Sequence, residues 1–179
     1  LAVLACGFFW VGVIDFVHML SYRGMNLIPL GGGNTSTATW LAARVVQVAA
    51  MVLAPLLARR AVRFWQAFLA FGALALALLV AIFAGIVPTT YVEGSGVTPF
   101  KRGVEFAIVA FALAAIVAVS RLRPDVLHPN DRQLLAWSLG FLALSELAFS
   151  AFRDVFDSMS LLGHLLKIWS FWLIFEAAV

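Results

Sequence analysis

The sequence predicts an all-α, polytopic transmembrane bundle of six helices, and three observations carry the prediction. Hydrophobic residues make up 64% of the 179 residues and charged residues only 12%, about half the charge of an ordinary soluble domain. Mean hydropathy is +1.03. Apolar stretches long enough to cross a bilayer, which takes roughly 20 residues, recur six times between short segments rich in Pro, Gly and Arg.

The first helix is expected over residues 1–22. Residues 23–36 hold Pro29, Gly31, Gly32, Gly33 and Asn34, which is loop chemistry. The glycine run lacks the strand context of a nucleotide site and reads as a flexible outer loop. The second helix is expected over 37–58, with Pro55 near its end, followed by a basic turn of Arg59, Arg60 and Arg63. The third, 64–87, has no ionisable residue inside it and is expected at the periphery. A loop over 88–98 contains Glu93, Gly94 and Gly96. Thr98 then caps a fourth helix over 99–120, with Pro99 at its first position. A polar loop with two prolines fills 121–130, and Asp131 begins a fifth helix running to about 153. A turn through Asp154 and Asp157 leads to the sixth, from 158 to the chain end. No β pattern, internal repeat or low-complexity segment stands out.

The formal net charge of +3 lies mostly at segment ends. It suits lipid headgroups and forms no basic stripe of the kind nucleic acid requires. Cys6 is alone, so no disulfide can form within the chain. The opening run leads into Asp15 and His18 without a small-residue cleavage site, unlike a signal peptide. The chain opens at Leu1 and closes at Val179 in apolar runs, so it is expected to be a fragment, a single domain over 1–179. Arg59, Arg60, Arg63, Arg121, Arg123 and Arg132 flank one set of loops; Arg23, Lys101, Arg102 and Arg153 flank the other. The positive-inside rule puts the first set in the cytoplasm.

Polar groups recur at one depth. Asp15, His18, Arg44, Glu105, Glu146, His164 and Lys167 sit inside apolar segments, where charge in hydrocarbon costs at least a few kcal/mol per group. At about 1.5 Å rise per residue they share a slab roughly 6–13 Å below the outer surface. Asp15 with His18, Arg44 with Gln47, and His164 with Lys167 are spaced i,i+3, each pair on one helix face. One shared polar centre is expected, walled by Trp40, Phe106, Phe149 and Trp169. An interfacial aromatic belt is the competing reading for Trp40.

These blocks resemble a known family. The run 12–25 (Gly-Val-Ile-Asp-Phe-Val-His-Met-Leu-Ser-Tyr-Arg-Gly-Met), which carries Asp15, His18, Tyr22 and Arg23, resembles the opening signature of the bacterial membrane-associated sensor domain of the third type. Asn34, Trp40 and Ala43-Arg44 are similar to its next block, and Thr98-Pro99-Phe100-Lys101 with Glu105 to another. Ser145-Glu146-Leu147-Ala148-Phe149 and Gly163-His164-Leu165-Leu166-Lys167 resemble the closing blocks. Ser160 and Arg153-Asp154 depart from the family's usual residues. The resemblance implies an N-terminal sensor of histidine kinases or cyclic-di-GMP turnover proteins in the bacterial inner membrane. It also implies a further helix upstream and a cytoplasmic output domain downstream, in cis. The ligand-sensing residues it and the polar slab nominate are Asp15, His18, Tyr22, Arg23, Trp40, Arg44, Lys101, Glu105, Glu146, Phe149, His164 and Lys167.

Imidazole ligates metal and titrates near neutral pH, so His18, His164 and Glu146 are the set for a metal, and the two histidines for a bis-His haem. No two histidines share a helix, and the simpler expectation is that each hydrogen-bonds a carboxylate and locks the bundle; no cofactor is favoured. Arg44 and Lys167 suit an anionic group or internal ion pairs. Set against Asp15, Glu105 and Glu146 they leave one excess negative charge. His128 reads as solvated in an inner loop. Ser145 and Glu146 are adjacent and point to different faces, so they cannot act as nucleophile and base. No catalytic residue is assigned. The reading is a sensor of a small lipophilic or amphiphilic ligand, a proton or membrane state. The alternatives are a transporter-like module and a haem or metal sensor. Partners are the bilayer, the unidentified ligand and the output domain, with a homodimer left open.

Overall fold

A chain inside hydrocarbon has no water to hydrogen-bond, so its backbone must satisfy itself, and the long apolar runs become helices. The computed structural model describes residues 2–22, 24–25, 27, 32–154 and 157–178. Among these residues the elements are α1 (Ala2–Ser21), α2 (Gly32–Leu57), α3 (Phe64–Phe83), α4 (Pro99–Ser120), α5 (Pro129–Ala151) and α6 (Ser158–Ala178). All six are long and apolar enough to span a membrane.

α2 is the spine between two apolar cores. On one side Ala43, Val46 and Ala50 meet Val11 and Ile14 of α1 and Phe71 and Ala75 of α3. On the other, Leu41, Val48 and Met51 meet Ile108 and Ala112 of α4 and Leu139 and Leu142 of α5. α3 packs on α1 and α2 at the edge of the bundle, as its lack of polar groups predicts. α6 lies along α5, joined where Ser138 Oγ donates to the Ser170 carbonyl at 2.9 Å and Ser145 Oγ to the Gly163 carbonyl at 2.8 Å. Small residues let backbones approach, as is usual in membranes. A Cβ on Gly7 would stand 2.4 Å from that of Ala50.

Three boundaries differ from expectation. α2 begins at Gly32, so Gly32, Gly33 and Asn34 are helical rather than flexible loop, while Gly31 lies outside the described residues. Side chains hold this first turn. Thr37 Oγ1 donates to the Gly33 carbonyl at 2.7 Å, and Asn34 Oδ1 accepts from the Thr90 amide at 2.7 Å and the Tyr91 amide at 3.2 Å. α3 stops at Phe83, and the 88–98 connection forms a two-residue antiparallel hairpin, Tyr91–Val92 (β1) with Gly96–Val97 (β2). α5 starts at Pro129, capped by His128, whose Nδ1 accepts from the Asn130 amide at 3.3 Å. His128 is thus a cap as well as solvated. The predicted Thr98 cap is present, its hydroxyl accepting from the Lys101 amide at 3.3 Å.

The end carrying the α1–α2, α3–α4 and α5–α6 connections, here the upper end, is laced together. Gly96, at φ +84, lies so close to Arg153 that a Cβ would meet its carbonyl oxygen at 3.1 Å. Arg102 Nε donates to the Ser150 carbonyl at 3.1 Å.

Candidate functional site

The polar slab becomes one buried cluster in the upper half of the bundle, organised around Trp40. This residue is only 4% exposed, which decides between hub and interfacial belt in favour of the hub. Its ring centroid lies 5.3 Å from that of His18, 5.0 Å from His164 and 4.5 Å from Phe149. Two cations face the same ring: Lys167 Nζ at 4.0 Å and Arg44 Cζ at 4.7 Å from its centroid. Cations favour the negative face of indole, the more so when desolvated.

Asp15 answers both cations. Arg44 Nη2 donates to its Oδ1 and Oδ2 at 2.8 Å each, and Lys167 Nζ to Oδ2 at 2.9 Å. The second guanidinium nitrogen, Nη1, donates to Gln47 Oε1, as the i,i+3 spacing predicts. One carboxylate thereby ties α1 to α2 and α6.

A second nest lies alongside. Lys101 on α4 is fully buried and donates to Glu105, one turn on, and to the Phe149 carbonyl at 3.1 Å. Its ammonium also sits 4.7 Å from the Phe152 ring. Burial of Lys101 corrects the charge balance expected from sequence. Arg44, Lys101 and Lys167 now stand against Asp15, Glu105 and Glu146, and no negative excess remains.

Glu146 on α5 is fully buried within reach of the charges of Arg44, Glu105, Lys101 and Lys167. Neither of its oxygens has a hydrogen-bond partner among the described residues; Gln47 Nε2, Arg44 Nε, Trp40 Nε1 and Glu105 Oε2 are in the same position. Buried polar groups are normally satisfied, so these atoms hold hydrogen-bonding capacity beyond what the described residues use.

Among the described residues the histidines hydrogen-bond backbone carbonyls rather than the expected carboxylates. His18 Nδ1 donates to the Ser36 carbonyl and His164 Nδ1 to the Ser160 carbonyl, both at 2.7 Å. A carbonyl only accepts, so each neutral ring carries its proton on Nδ1 and offers a lone pair at Nε2. Both rings line one small space of about 30 Å³ with Tyr22, Trp40, Lys101 and Phe149, room for about two waters. A porphyrin does not fit there in this conformation. Among the described residues no three of His, Cys, Asp and Glu are grouped to hold a metal ion, so the set His18, His164 and Glu146 is not assembled.

Tyr22 closes the space from above, its ring 6.1 Å from His18; burial, then the charge of Asp154, pushes its phenol above the ordinary range. Arg23 lies outside the described residues. Phe106 and Trp169 are 53% and 56% exposed and face away from the cluster, which corrects their predicted role as walls. Phe152 and Phe171 take that role instead. Phe171 lies 5.2 Å from Lys167 Nζ and 5.5 Å from Arg44 Cζ. Its i,i+4 spacing from Lys167 was the signal that sequence reading passed over.

Fold and cluster together define a multi-pass helical membrane domain with a buried polar centre. The whole chain, residues 1–179, matches the family model described as membrane-associated sensor domain, MASE3, and the chain belongs to that family. No curated protein and no solved structure gives a match.

Proposed function

We propose that this domain is the signal-input unit of a bacterial inner-membrane protein, with the upper end of the bundle facing the periplasm. It detects a small amphiphilic ligand, a proton or a change of membrane state at the cluster around Trp40. It passes the change to a cytoplasmic kinase or cyclase in the same polypeptide. A sensor domain is not itself catalytic, so its work is to shift between two arrangements.

The observation that carries this reading is the double engagement of Asp15 by Arg44 and Lys167, beside a buried Glu146 that has no hydrogen bond among the described residues. Two carboxylates and two shared cations admit two pairings. In one, α6 is tied to α1 through Asp15; in the other, a cation turns to Glu146 on α5. A stimulus acts by its different affinity for the two. α6 carries the result, since it holds His164, Lys167 and Phe171.

The test uses the full-length protein with its output activity as readout. His164→Gln keeps volume and a hydrogen bond but removes titration and most ligation. Normal folding with a lost response across pH 5–8 supports the reading. Normal folding with an intact response to every stimulus removes His164 from it.

A further inference from the structure

At the lower end, away from the cluster, the helices line a half-open cavity of about 940 Å³. Ligand sites run to roughly 300–1,000 Å³ and are mostly apolar, and this one matches on both counts. Its walls come from α1, α2, α4, α5, α6 and the α4–α5 connection, and among its lining residues only His128 and Asp131 are ionisable. Both stand at the start of α5, where the chain leaves the apolar span, so the space has an apolar body and a polar mouth.

The mouth has a defined chemistry. His128 Nδ1 accepts the Asn130 amide, so the neutral ring carries its proton on Nε2 and presents a donor. Asp131 presents carboxylate acceptors. A hydroxyl or a carbonyl beside a hydroxyl satisfies that pair, whereas an anionic head would meet the Asp131 carboxylate. The body sets the rest. A tail drawn from the bilayer gains little from the hydrophobic effect, because lipid is as apolar as the cavity wall. Selectivity therefore rests on the head and on fit.

We infer that this cavity is a second ligand site, which takes the tail of a neutral, single-chain amphiphile whose hydroxyl head, alone or beside a carbonyl, lies at His128 and Asp131. The inference is independent of sensing at the Trp40 cluster, but one ring joins the two places. Phe171 lines the cavity, packs edge-to-face on Phe8 at 5.7 Å and supports Arg44 and Lys167 from below. A tail that fills the cavity bears on the ring beneath both cations, and occupancy would bias their pairing with Asp15.

The experiment is photolabelling of the full-length protein in proteoliposomes with a hexadecanol bearing a mid-chain diazirine. Labelling at Phe8 and Ile174 is expected to saturate and to fall at least tenfold with excess unlabelled hexadecanol. It should also be lost on Ala54→Phe, which fills the space; Ala5→Phe serves if that variant does not insert. Exposed Leu76 and Val80 of α3 should label without saturation in every case. Asp131→Ala is expected to weaken competition by hexadecanol about tenfold, and diazirine-palmitate to label at least tenfold less. Non-saturable labelling of the cavity overturns the site. Equal labelling by palmitate overturns the neutral head. Oxidative disulfide trapping of Ala54→Cys with a cysteine placed in another segment of the full chain shows that protein fills the space, and overturns the inference as well.

Discussion

Lys167 Nζ on α6 lies 2.9 Å from Asp15 Oδ2 on α1, across a sequence separation of 152 residues. The first and last helices are not otherwise closely apposed along their lengths. This ion pair, with the Phe8–Phe171 contact below it, closes the bundle. Because Arg44 shares the same carboxylate, the closure is coupled to the spine helix. A displacement of α6 must therefore change the surroundings of Arg44.

Removing the shared carboxylate should be costly. Asp15→Asn takes the shared ion-pair partner from fully buried Arg44 and largely buried Lys167, and breaking such a pair costs roughly 3–5 kcal/mol. Lys167→Met alone should cost less, since Arg44 still answers Asp15. The double variant should lose less than the sum by at least about 0.5 kcal/mol, because the two groups share a partner. Denaturation in detergent micelles measures all three, and strict additivity would show that the pair is not energetically coupled.

Glu146→Gln should behave in the opposite way. No hydrogen bond is lost, since neither carboxyl oxygen has one among the described residues, and a fully buried acid is replaced by a neutral isostere that is cheaper to bury. The thermal midpoint is expected to stay level or rise. Glu105→Gln should lower it, because buried Lys101 loses its partner. A drop for Glu146→Gln equal to that for Glu105→Gln would contradict the assignment of Glu146 as lacking a hydrogen bond among the described residues.

The packing of His164 depends on a glycine one residue away. A Cβ at Gly163 would stand 2.6 Å from the Phe149 ring, which itself packs on Trp40 and His164. Gly163→Ala is therefore expected to cost about 1–3 kcal/mol through overpacking. Adding Phe149→Leu should recover part of that loss. Unchanged stability of the single variant would show that the ring moves aside freely.

A pH effect is expected at the start of α6. Asp157 is slightly desolvated, but the amides of Arg153, Ser160 and Asp154 donate to its carboxylate and hold it below the usual range. A depressed folded value means stability present above the unfolded value, about 3.9, and lost as pH falls through the folded one. Asp157→Asn should lower the thermal midpoint at pH 7, and the gap from the unsubstituted protein should narrow below about pH 4. A gap constant from pH 7 to pH 2 would exclude the charged cap.

Orientation is open to a direct check. Reporter fusions after Arg60 and Arg123 are expected to read cytoplasmic, and fusions near Gly94 periplasmic, from the positive-inside rule. The reverse pattern would place the Trp40 cluster toward the cytoplasm and the large cavity toward the outside.

Sequence by itself determined the membrane class, the number of spans, the Thr98 cap, the edge position of α3 and the common depth of the polar residues. These follow from local rules: span length, turn chemistry and rise per residue do not depend on neighbours. It also placed Arg44 with Gln47, because i,i+3 spacing is a property of a single helix. Tertiary structure alone decided who pairs with whom. Lys101 counts in sequence among the basic residues that flank an outer loop and among the sensing residues, but not in the charge sum of the buried slab; α5 and Phe152 bury it, which balances the charge. Phe106 and Trp169 read as walls at the right depth, but the rotation of α4 and α6 turns them outward and brings in Phe152 and Phe171. The histidines met backbone carbonyls, of Ser36 on α2 and Ser160 on α6, rather than carboxylates. Depth is written along one helix; azimuth is set only when helices pack, and it is azimuth that assigns partners.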